Sequence, residues 1–378
     1  MESPILSPAL SRVHVPPGVQ CFVGDEARRR RAIESAVLAV FEGWDYEEII
    51  PPLFDYADVF AGPALEGKTY TFVGRDGRPL ALRPDFTSLL AKIAAGRLAD
   101  QPVPMRLYYS GEVLRYEPPK AGRQSELYQM GLEHLGGDPR AADVEVLAVA
   151  AECIESLGIR GGVLAVGHVG VFAGLLAECG LGAAALELLR ERVDAKDGGG
   201  VDDALDRARV SAPVRQAVRC LTAFSGDAAV VDEAARAFAF SPGATTALEE
   251  LRTVVDATAS AGLGDRISVD LSEVRGLDYY TGLVFRVYAP GLGFELGAGG
   301  RYDALLARYG RSMPAVGFML GLDRVALLLA RQDEGGARPE PVAAAEPVAG
   351  PSLGPALREA RARRAAGRRV RFASGGRT

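Results

Sequence analysis

The chain has 378 residues and a formal net charge of −6, from 43 basic and 49 acidic side chains. Hydrophobic residues make up 48% and charged residues 24% of it, which predicts two or three folded units and excludes a disordered chain or a mini-protein. The four cysteines lie far apart with no CxxC pair, and we recognise no signal peptide or membrane-spanning stretch. We therefore expect a cytoplasmic protein with reduced thiols and no membrane anchor.

The first part of the chain mixes helical and strand patterns. Apolar positions at helical spacing predict an amphipathic helix over residues 24–42, and the Asp-Gly pair at 76–77 predicts the turn of a β-hairpin. A helix is expected over residues 87–95. Two strands, over residues 105–117 and 125–136, are then expected to pair antiparallel.

The next part is rich in Ala, Leu, Val, Glu and Arg. Residues 141–262 are predicted to be mostly helical and to include an insertion at about 185–262. Strand patterns return after residue 266, and a strand-to-helix unit is predicted over residues 315–330. Strands and helices without regular alternation predict an α+β fold with a central antiparallel sheet flanked by helices.

The C-terminal segment differs in composition from this core of residues 1–330. Residues 331–355 are rich in Pro, Ala, Glu and Gly and predict a linker. Residues 356–378 are rich in Arg and predict one helix and one short strand. This fragment either contacts RNA or is a solvated basic helix packed loosely on the body.

The sequence lacks several common catalytic motifs. The three histidines, at positions 14, 134 and 168, are not at metal-ligand spacing, and GxSxG and P-loop patterns are absent from the sequence. We therefore expect no metal and no cofactor, and neither a metalloenzyme nor a serine hydrolase.

A polar face on the strand at 125–136 is more informative. Strand alternation places Gln129, Gly131 and Glu133 on one face and apolar side chains on the other. The glycine leaves room for a small ligand between an amide and a carboxylate. An equally good interpretation is a glycine kink on a solvent-facing edge strand.

Two other segments carry charges suited to a zwitterionic ligand. Arg115 and Glu117 lie two residues apart on the partner strand, although an exposed ion pair of this kind is common. Asp85 and Thr87 stand where a helix begins, and helix capping alone explains them.

Further along, RGLDYYTG (275–282) brings an arginine together with Tyr279 and Tyr280, one of which can line a pocket while the other packs. Arg324 lies in the first turn of a helix after a Gly-rich strand end, where it is available to phosphates or is simply a surface arginine.

Taken in order, these segments resemble the catalytic core of class II aminoacyl-tRNA synthetases, and of the histidyl branch in particular. GWDYEEIIPPLFD resembles the first motif of that class, which is used in dimerisation, and YYSGEVLRYEPPKAGRQSELYQMGLE resembles the second. RGLDYYTG and GAGGRYDALL resemble the two segments peculiar to the histidine branch, and GFMLGLDR resembles the third motif. The resemblance covers roughly residues 15–330.

The resemblance implies a site for L-histidine. Its residues would hold the amino group, the carboxylate and the imidazole of that ligand: Asp85, Thr87, Arg115, Gln129, Glu133, Arg275, Tyr279 and Tyr280. In a synthetase, the residues facing ATP would be Glu117, Arg123 and Arg324. Here these three would be vestigial.

Departures from the synthetase pattern favour a regulatory function. A histidyl-tRNA synthetase carries an anticodon-binding α/β domain, and only a linker and the Arg-rich fragment are expected after the helix of Arg324. The N-terminal entry and the second motif also differ, since Leu114 replaces the usual Phe and Ser125 a basic residue. Such a core is similar to the family of ATP phosphoribosyltransferase regulatory subunits, synthetase paralogues that act at the first step of histidine biosynthesis.

That resemblance implies several partners and excludes others. The expected partner is the short-form catalytic subunit, the effector is L-histidine, and the chain is expected as a homodimer within a larger hetero-oligomer, with no catalytic residues and no tRNA of its own. Two alternatives stay open: a truncated histidyl-tRNA synthetase or histidyl-adenylate-forming enzyme, and an RNA-binding adaptor that uses the Arg-rich fragment.

Overall fold

The chain divides into two compact units, residues 1–329 and 330–378. The computed structural model describes the following stretches: 15–16, 18–62, 65–116, 124–178, 181–195, 197–207, 210–221, 223–273, 279–333, 346–348, 353–366, 368 and 370–372.

The secondary structure mixes helices and strands throughout. The helices are α1 (Gly24–Gly43), α2 (Thr87–Ala95), α3 (Pro139–Ser156), α4 (Val169–Ala177), α5 (Ala183–Asp194), α6 (Gly198–Arg207), α7 (Ala212–Leu221), α8 (Ala229–Ala237), α9 (Pro242–Ser260), α10 (Ala304–Ala307), α11 (Leu322–Asp333) and α12 (Leu353–Ala365). The strands are β1 (Glu47–Glu48), β2 (Phe54–Tyr56), β3 (Thr71–Val73), β4 (Pro79–Leu82), β5 (Met105–Leu114), β6 (Glu126–Leu135), β7 (Val163–His168), β8 (Ser225–Gly226), β9 (Ile267–Asp270), β10 (Leu283–Tyr288), β11 (Gly297–Arg301), β12 (Ala315–Gly321), β13 (Glu346–Val348) and β14 (Val370–Phe372).

Two long helices begin with a cap followed by proline. The Asp138 carboxylate accepts a hydrogen bond from the Ala141 N–H at 2.8 Å, and Pro139 opens α3. In the same way the Ser241 side chain caps α9 ahead of Pro242. Because proline has no N–H to leave unsatisfied in the first turn, this pairing sets both helix starts.

One large sheet organises the first unit. Among the described residues it contains nine strands in the order β1-β5-β6-β12-β11-β10-β7-β9-β8. The sheet is not purely antiparallel as predicted, because β1 runs parallel to β5 and β7 parallel to β9. The β1–β5 connection contains the strands β2, β3 and β4 and helix α2, and the β7–β9 connection contains the helices α4 to α9. The central pairs are antiparallel as expected.

The two faces of this sheet are buried differently. One face packs against α1, α3, α4 and α9 around residues such as Phe41, Leu132 and Phe318. The other face is covered by a smaller cluster that includes Phe86 just before α2, Tyr109 of β5 and Leu306 of α10. The alternation predicted for β6 is confirmed, since its even-numbered residues from 128 to 132 join the larger cluster. Gln129, Gly131 and Glu133 lie on the opposite face, that of the smaller cluster.

A smaller sheet stands beside α2. Its strands are ordered β2-β4-β3 and all pair antiparallel. This confirms the hairpin predicted at residues 76–77, and α2 spans the predicted residues 87–95. The turn needs Gly77, whose φ of 79° lies in the left-handed region.

The second unit contains β13, α12 and β14. The two strands pair in parallel, and Arg363 of α12 forms an ion pair with Glu346 of β13 at 3.3 Å. Strand β13 lies within residues 331–355, where the sequence predicts a linker without secondary structure.

Candidate functional site

Glycines form the floor of the site on the odd-numbered face of β6. Gly131 of β6 and Gly317 of β12 carry no side chain there, and neighbouring groups take the space. A Cβ on Gly131 would lie 2.5 Å from the Tyr109 hydroxyl, and one on Gly300 would lie 2.8 Å from the Tyr280 ring. A side chain at Gly317 would collide with the Glu133 carboxylate. Each glycine thus allows one site residue to lie flat on the sheet.

Glu133 lies at the centre of this floor and is 1% exposed. One of its carboxyl oxygens accepts a hydrogen bond from the Thr87 hydroxyl at 2.7 Å, and the other from the Tyr302 hydroxyl. Burial raises the pKa of Glu133 from 4.5 to about 8, although both hydroxyls oppose that rise. A carboxyl group of this kind is largely protonated at neutral pH and can ionise when a cationic ligand arrives.

Aromatic rings wall the site. Tyr109 stacks on Phe86 with ring centroids 4.1 Å apart, and Tyr279 stacks on Tyr302 at 5.5 Å. Tyr280 meets Tyr279 edge-on at 5.1 Å. Burial raises the pKa of Tyr280 to about 12, so its hydroxyl stays protonated and can donate a hydrogen bond.

Asp85 and Arg115 lie at the rim, each partly exposed. The Asp85 carboxylate accepts hydrogen bonds from the Ser88 N–H at 2.7 Å and the Ser88 hydroxyl at 3.2 Å, so the capping interpretation is confirmed for this residue. Burial raises the pKa of Asp85, and the charge of Arg115 acts against that rise. Arg115 donates from Nε to the Pro84 carbonyl at 2.7 Å, which holds its guanidinium beside Asp85.

Gln129 lies two residues before Gly131 on the same face of β6. It pairs with Gly111 of β5 and Gly321 of β12 and is 4% exposed. Arginine side chains occupy the space beside it, since a Cβ on Gly111 would lie 2.7 Å from the Arg83 guanidinium and one on Gly321 would lie 3.4 Å from the Arg324 side chain.

Arg324, which the sequence leaves as either a phosphate ligand or a surface arginine, is paired with Glu295 in the structure. Its guanidinium donates to the Glu295 carbonyl at 2.9 Å and to the Glu295 carboxylate at 2.8 Å. Three other predicted residues, Glu117, Arg123 and Arg275, lie outside the described residues.

Sequence reasoning missed Tyr109, Tyr302 and Phe86. From the sequence, Tyr109 and Phe86 are predicted to be ordinary core residues. Their stacking in the structure shows that they form part of the wall of the site. Tyr302 follows the GAGGR strand directly, two residues after Gly300, and that glycine is a signal that a neighbouring group lies on the face of the site.

The assembled site suits a small zwitterionic ligand with a polar ring. It combines a partly exposed carboxylate, a guanidinium, a buried carboxyl group that can change its charge and a set of tyrosines. Within the described stretches, no group of His, Cys, Asp or Glu could hold a metal ion. Over the same residues, none of the helices has the length and apolarity needed to span a membrane.

Comparison with known proteins places the chain. Residues 18–325 match the family model described as histidyl-tRNA synthetase. An ATP phosphoribosyltransferase regulatory subunit of Moorella thermoacetica is 38% identical over 95% of this chain and 91% of its own length. One of Geobacter sulfurreducens is also 38% identical, over 80% of this chain and 70% of its own length.

Solved structures agree in fold. A Bacillus halodurans C protein described as an ATP phosphoribosyltransferase regulatory subunit/histidyl-tRNA synthetase superposes with a TM-score of 0.84 at 27% identity, covering 95% of this chain and 92% of that one. A Nostoc histidyl-tRNA synthetase superposes with a TM-score of 0.81 at 22% identity, covering 97% and 87%, and supports the fold alone.

The glycine-floored sheet and the matched residues define a class II aminoacyl-tRNA synthetase-like core of the histidyl type. At the identity and coverage found, the chain belongs to the family of ATP phosphoribosyltransferase regulatory subunits.

Proposed function

We propose that the chain regulates ATP phosphoribosyltransferase at the first step of histidine biosynthesis, by binding L-histidine on the glycine floor. Relatives named as regulatory subunits support the regulatory, non-catalytic role. The observation that best supports histidine as the ligand is the buried Glu133 carboxyl group. Its pKa is raised, and two hydroxyl groups donate hydrogen bonds to it. Residues 1–330 are the synthetase-like core in this proposal, with a helical insertion at about 185–262, a linker at 331–355 and an Arg-rich fragment at 356–378.

The ligand is oriented by complementary charges. Asp85 and Thr87 receive its ammonium group, and Arg115 receives its carboxylate. Gln129 and Glu133 face the amine and the imidazole, which both donate hydrogen bonds. Tyr279, Tyr280 and Arg275 complete the pocket, whereas Glu117, Arg123 and Arg324 are retained from an ATP site without that role.

This placement predicts proton release. A bound cation beside Glu133 favours the ionised carboxylate, so binding at pH 7 should release a proton from a group whose pKa is about 8. Calorimetric titrations of histidine in buffers of different ionisation enthalpy measure that proton. Glu133→Gln should weaken binding and abolish the release.

Glu34→Gln is the matched control. Glu34 is also buried and also accepts from two hydroxyls, Ser110 at 2.7 Å and Tyr128 at 2.6 Å, but it lies on the other face of the sheet. Unchanged affinity in Glu133→Gln would mean that the pocket is misplaced.

Regulation requires that histidine bind one state of the complex better than the other. Reconstitution with a short-form catalytic subunit tests this requirement through the rate of ATP phosphoribosyltransfer, with and without histidine. We expect inhibition by histidine that Glu133→Gln removes, while the Glu34→Gln complex stays sensitive. Such a complex, working on nucleotide substrates, belongs in the cytoplasm.

The homodimer forms, in this proposal, through the apolar face of the small sheet. Phe54 and Phe72 touch with ring centroids 5.6 Å apart and are 48% and 41% exposed. Ile50, four residues before Phe54 in the chain, is 85% exposed. A second copy would cover this face. Sedimentation velocity should show a dimer that Phe72→Asp dissociates, whereas Leu327→Asp, at an equally exposed site on α11, should not.

A further inference from the structure

Two arginines, Arg324 and Arg286, lie close to the carboxylate of Glu295. Arg324, in the first turn of α11, donates to the Glu295 carboxylate at 2.8 Å, and Arg286 of β10 approaches the same oxygen at 3.5 Å. Arg286 also donates to the Glu273 carboxylate at 2.6 Å. The two guanidiniums are thus neutralised by two carboxylates of the chain itself.

This cluster lies on the same face of the sheet as the glycine floor. Arg286 pairs with Ala298, Ala298 with Met319, and Met319 with Gly131. Residues directly opposite each other on neighbouring strands share a face. The cluster therefore borders the glycine floor on the side of β10, where the charge of Arg286 acts on the Tyr280 hydroxyl.

The chemistry at this end is that of an oxyanion site. Paired guanidiniums next to the start of a helix bind phosphate or carboxylate oxygens through charge-assisted hydrogen bonds. The Arg324 side chain is 37% exposed, so solvent and ligands can reach it. Burial acts to raise the pKa of Glu295, but the hydrogen bond from Arg324, a backbone hydrogen bond and the charges of Arg324 and Arg286 together outweigh burial and hold that pKa below its ordinary value.

We propose that Glu295 is a specificity-determining residue that excludes phosphate-bearing ligands from the floor, because its carboxylate occupies the oxyanion position between Arg286 and Arg324. An entering phosphate would have to displace Glu295 and leave a partly buried carboxylate without its arginine, which is costly. The inference stands whether or not the neighbouring pocket binds histidine.

The test measures polyphosphate binding directly. Inorganic tripolyphosphate, without divalent metal, is titrated calorimetrically into the unaltered protein, Glu295→Gln and the control Glu187→Gln, which alters an ion pair with Arg190 on α5. Removing the competing charge should tighten binding to Glu295→Gln by about ten-fold or more. The control should behave like the unaltered protein.

A double variant, Glu295→Gln with Arg324→Gln, should lose the gain, which locates it at this cluster. Equal affinity of the unaltered protein and a folded Glu295→Gln would overturn the proposal, and so would a gain that persists in the double variant. If Glu295→Gln does not fold, tripolyphosphate is titrated into the unaltered protein and into Arg324→Gln. Binding to the unaltered protein that Arg324→Gln weakens would show that the site is open and would overturn the proposal.

Discussion

The charge of Glu133 makes a prediction about stability that needs no ligand. In the folded chain its pKa is about 8, against 4.5 for an unperturbed glutamate. Burial is the main cause of this rise. Glu133→Gln removes the titration and keeps the shape, and the Thr87 and Tyr302 hydroxyls can accept hydrogen bonds from the new amide as well as donate to it.

The sign follows from proton counting. Between pH 5 and pH 7 the unfolded chain has lost the Glu133 proton while the folded chain keeps it, so stability falls as pH rises. The slope is about 1.4 kcal/mol per pH unit, or roughly 3 kcal/mol over this interval. Above pH 8 both states are ionised and this contribution levels off.

The assay is urea denaturation followed by circular dichroism at pH 5, 6 and 7. Other groups titrate in the same range, so the quantity to compare is the difference in unfolding free energy between Glu133→Gln and the unaltered protein. We expect Glu133→Gln to gain roughly 3 kcal/mol relative to the unaltered protein between pH 5 and pH 7. Parallel curves would refute the reasoning, because they would mean that Glu133 ionises at the same pH folded and unfolded.

Three further predictions concern the floor, its support and the apolar face. Gly317→Ala places a methyl group on the Glu133 carboxylate and should cost about 1–3 kcal/mol of stability, seen by denaturation, with loss of histidine binding by calorimetry. Arg301→Leu strands the buried Asp143, now 2.6 Å from Arg301, and should lower the free energy of unfolding by about 3–5 kcal/mol. Phe72→Asp should halve the mass found by light scattering if the apolar face forms the dimer.

Matched substitutions separate these effects from general damage. Gly43→Ala adds a methyl group where nothing lies within 4 Å of it and should leave stability nearly unchanged. Arg28→Leu removes an exposed ion pair with Asp25 and should cost less than about 1 kcal/mol. Losses as large in these controls as in Gly317→Ala and Arg301→Leu would contradict the assigned roles.

Local signals predicted the elements that hold the site. Helix α2 and the β3–β4 hairpin match because their start and turn residues act within a few positions of the chain. Alternation placed Gln129 and Glu133 on one face of β6, and the structure brings Glu133 to within hydrogen-bond distance of Thr87 on α2.

Long-range relations were harder to foresee. The parallel pairing of β1 with β5 and of β7 with β9 joins residues about 60 and 100 positions apart in the chain, such as Glu47 with Leu107 and Leu164 with Ile267, so no local pattern specifies it. Tyr302 was missed because its hydroxyl reaches Glu133 from a position 169 residues away in the chain. The ion pair of Arg324 could not be predicted from its own segment, because its partner Glu295 lies in the loop before β11.

Histidine-dependent ATP–pyrophosphate exchange, run beside a histidine-binding titration on the same sample, tests the central claim most directly. A histidine sensor that excludes polyphosphate should bind histidine and show no exchange above the level of a Glu133→Gln control. Exchange that depends on histidine and disappears in Glu133→Gln would contradict the regulatory account and identify a histidyl-adenylate-forming enzyme.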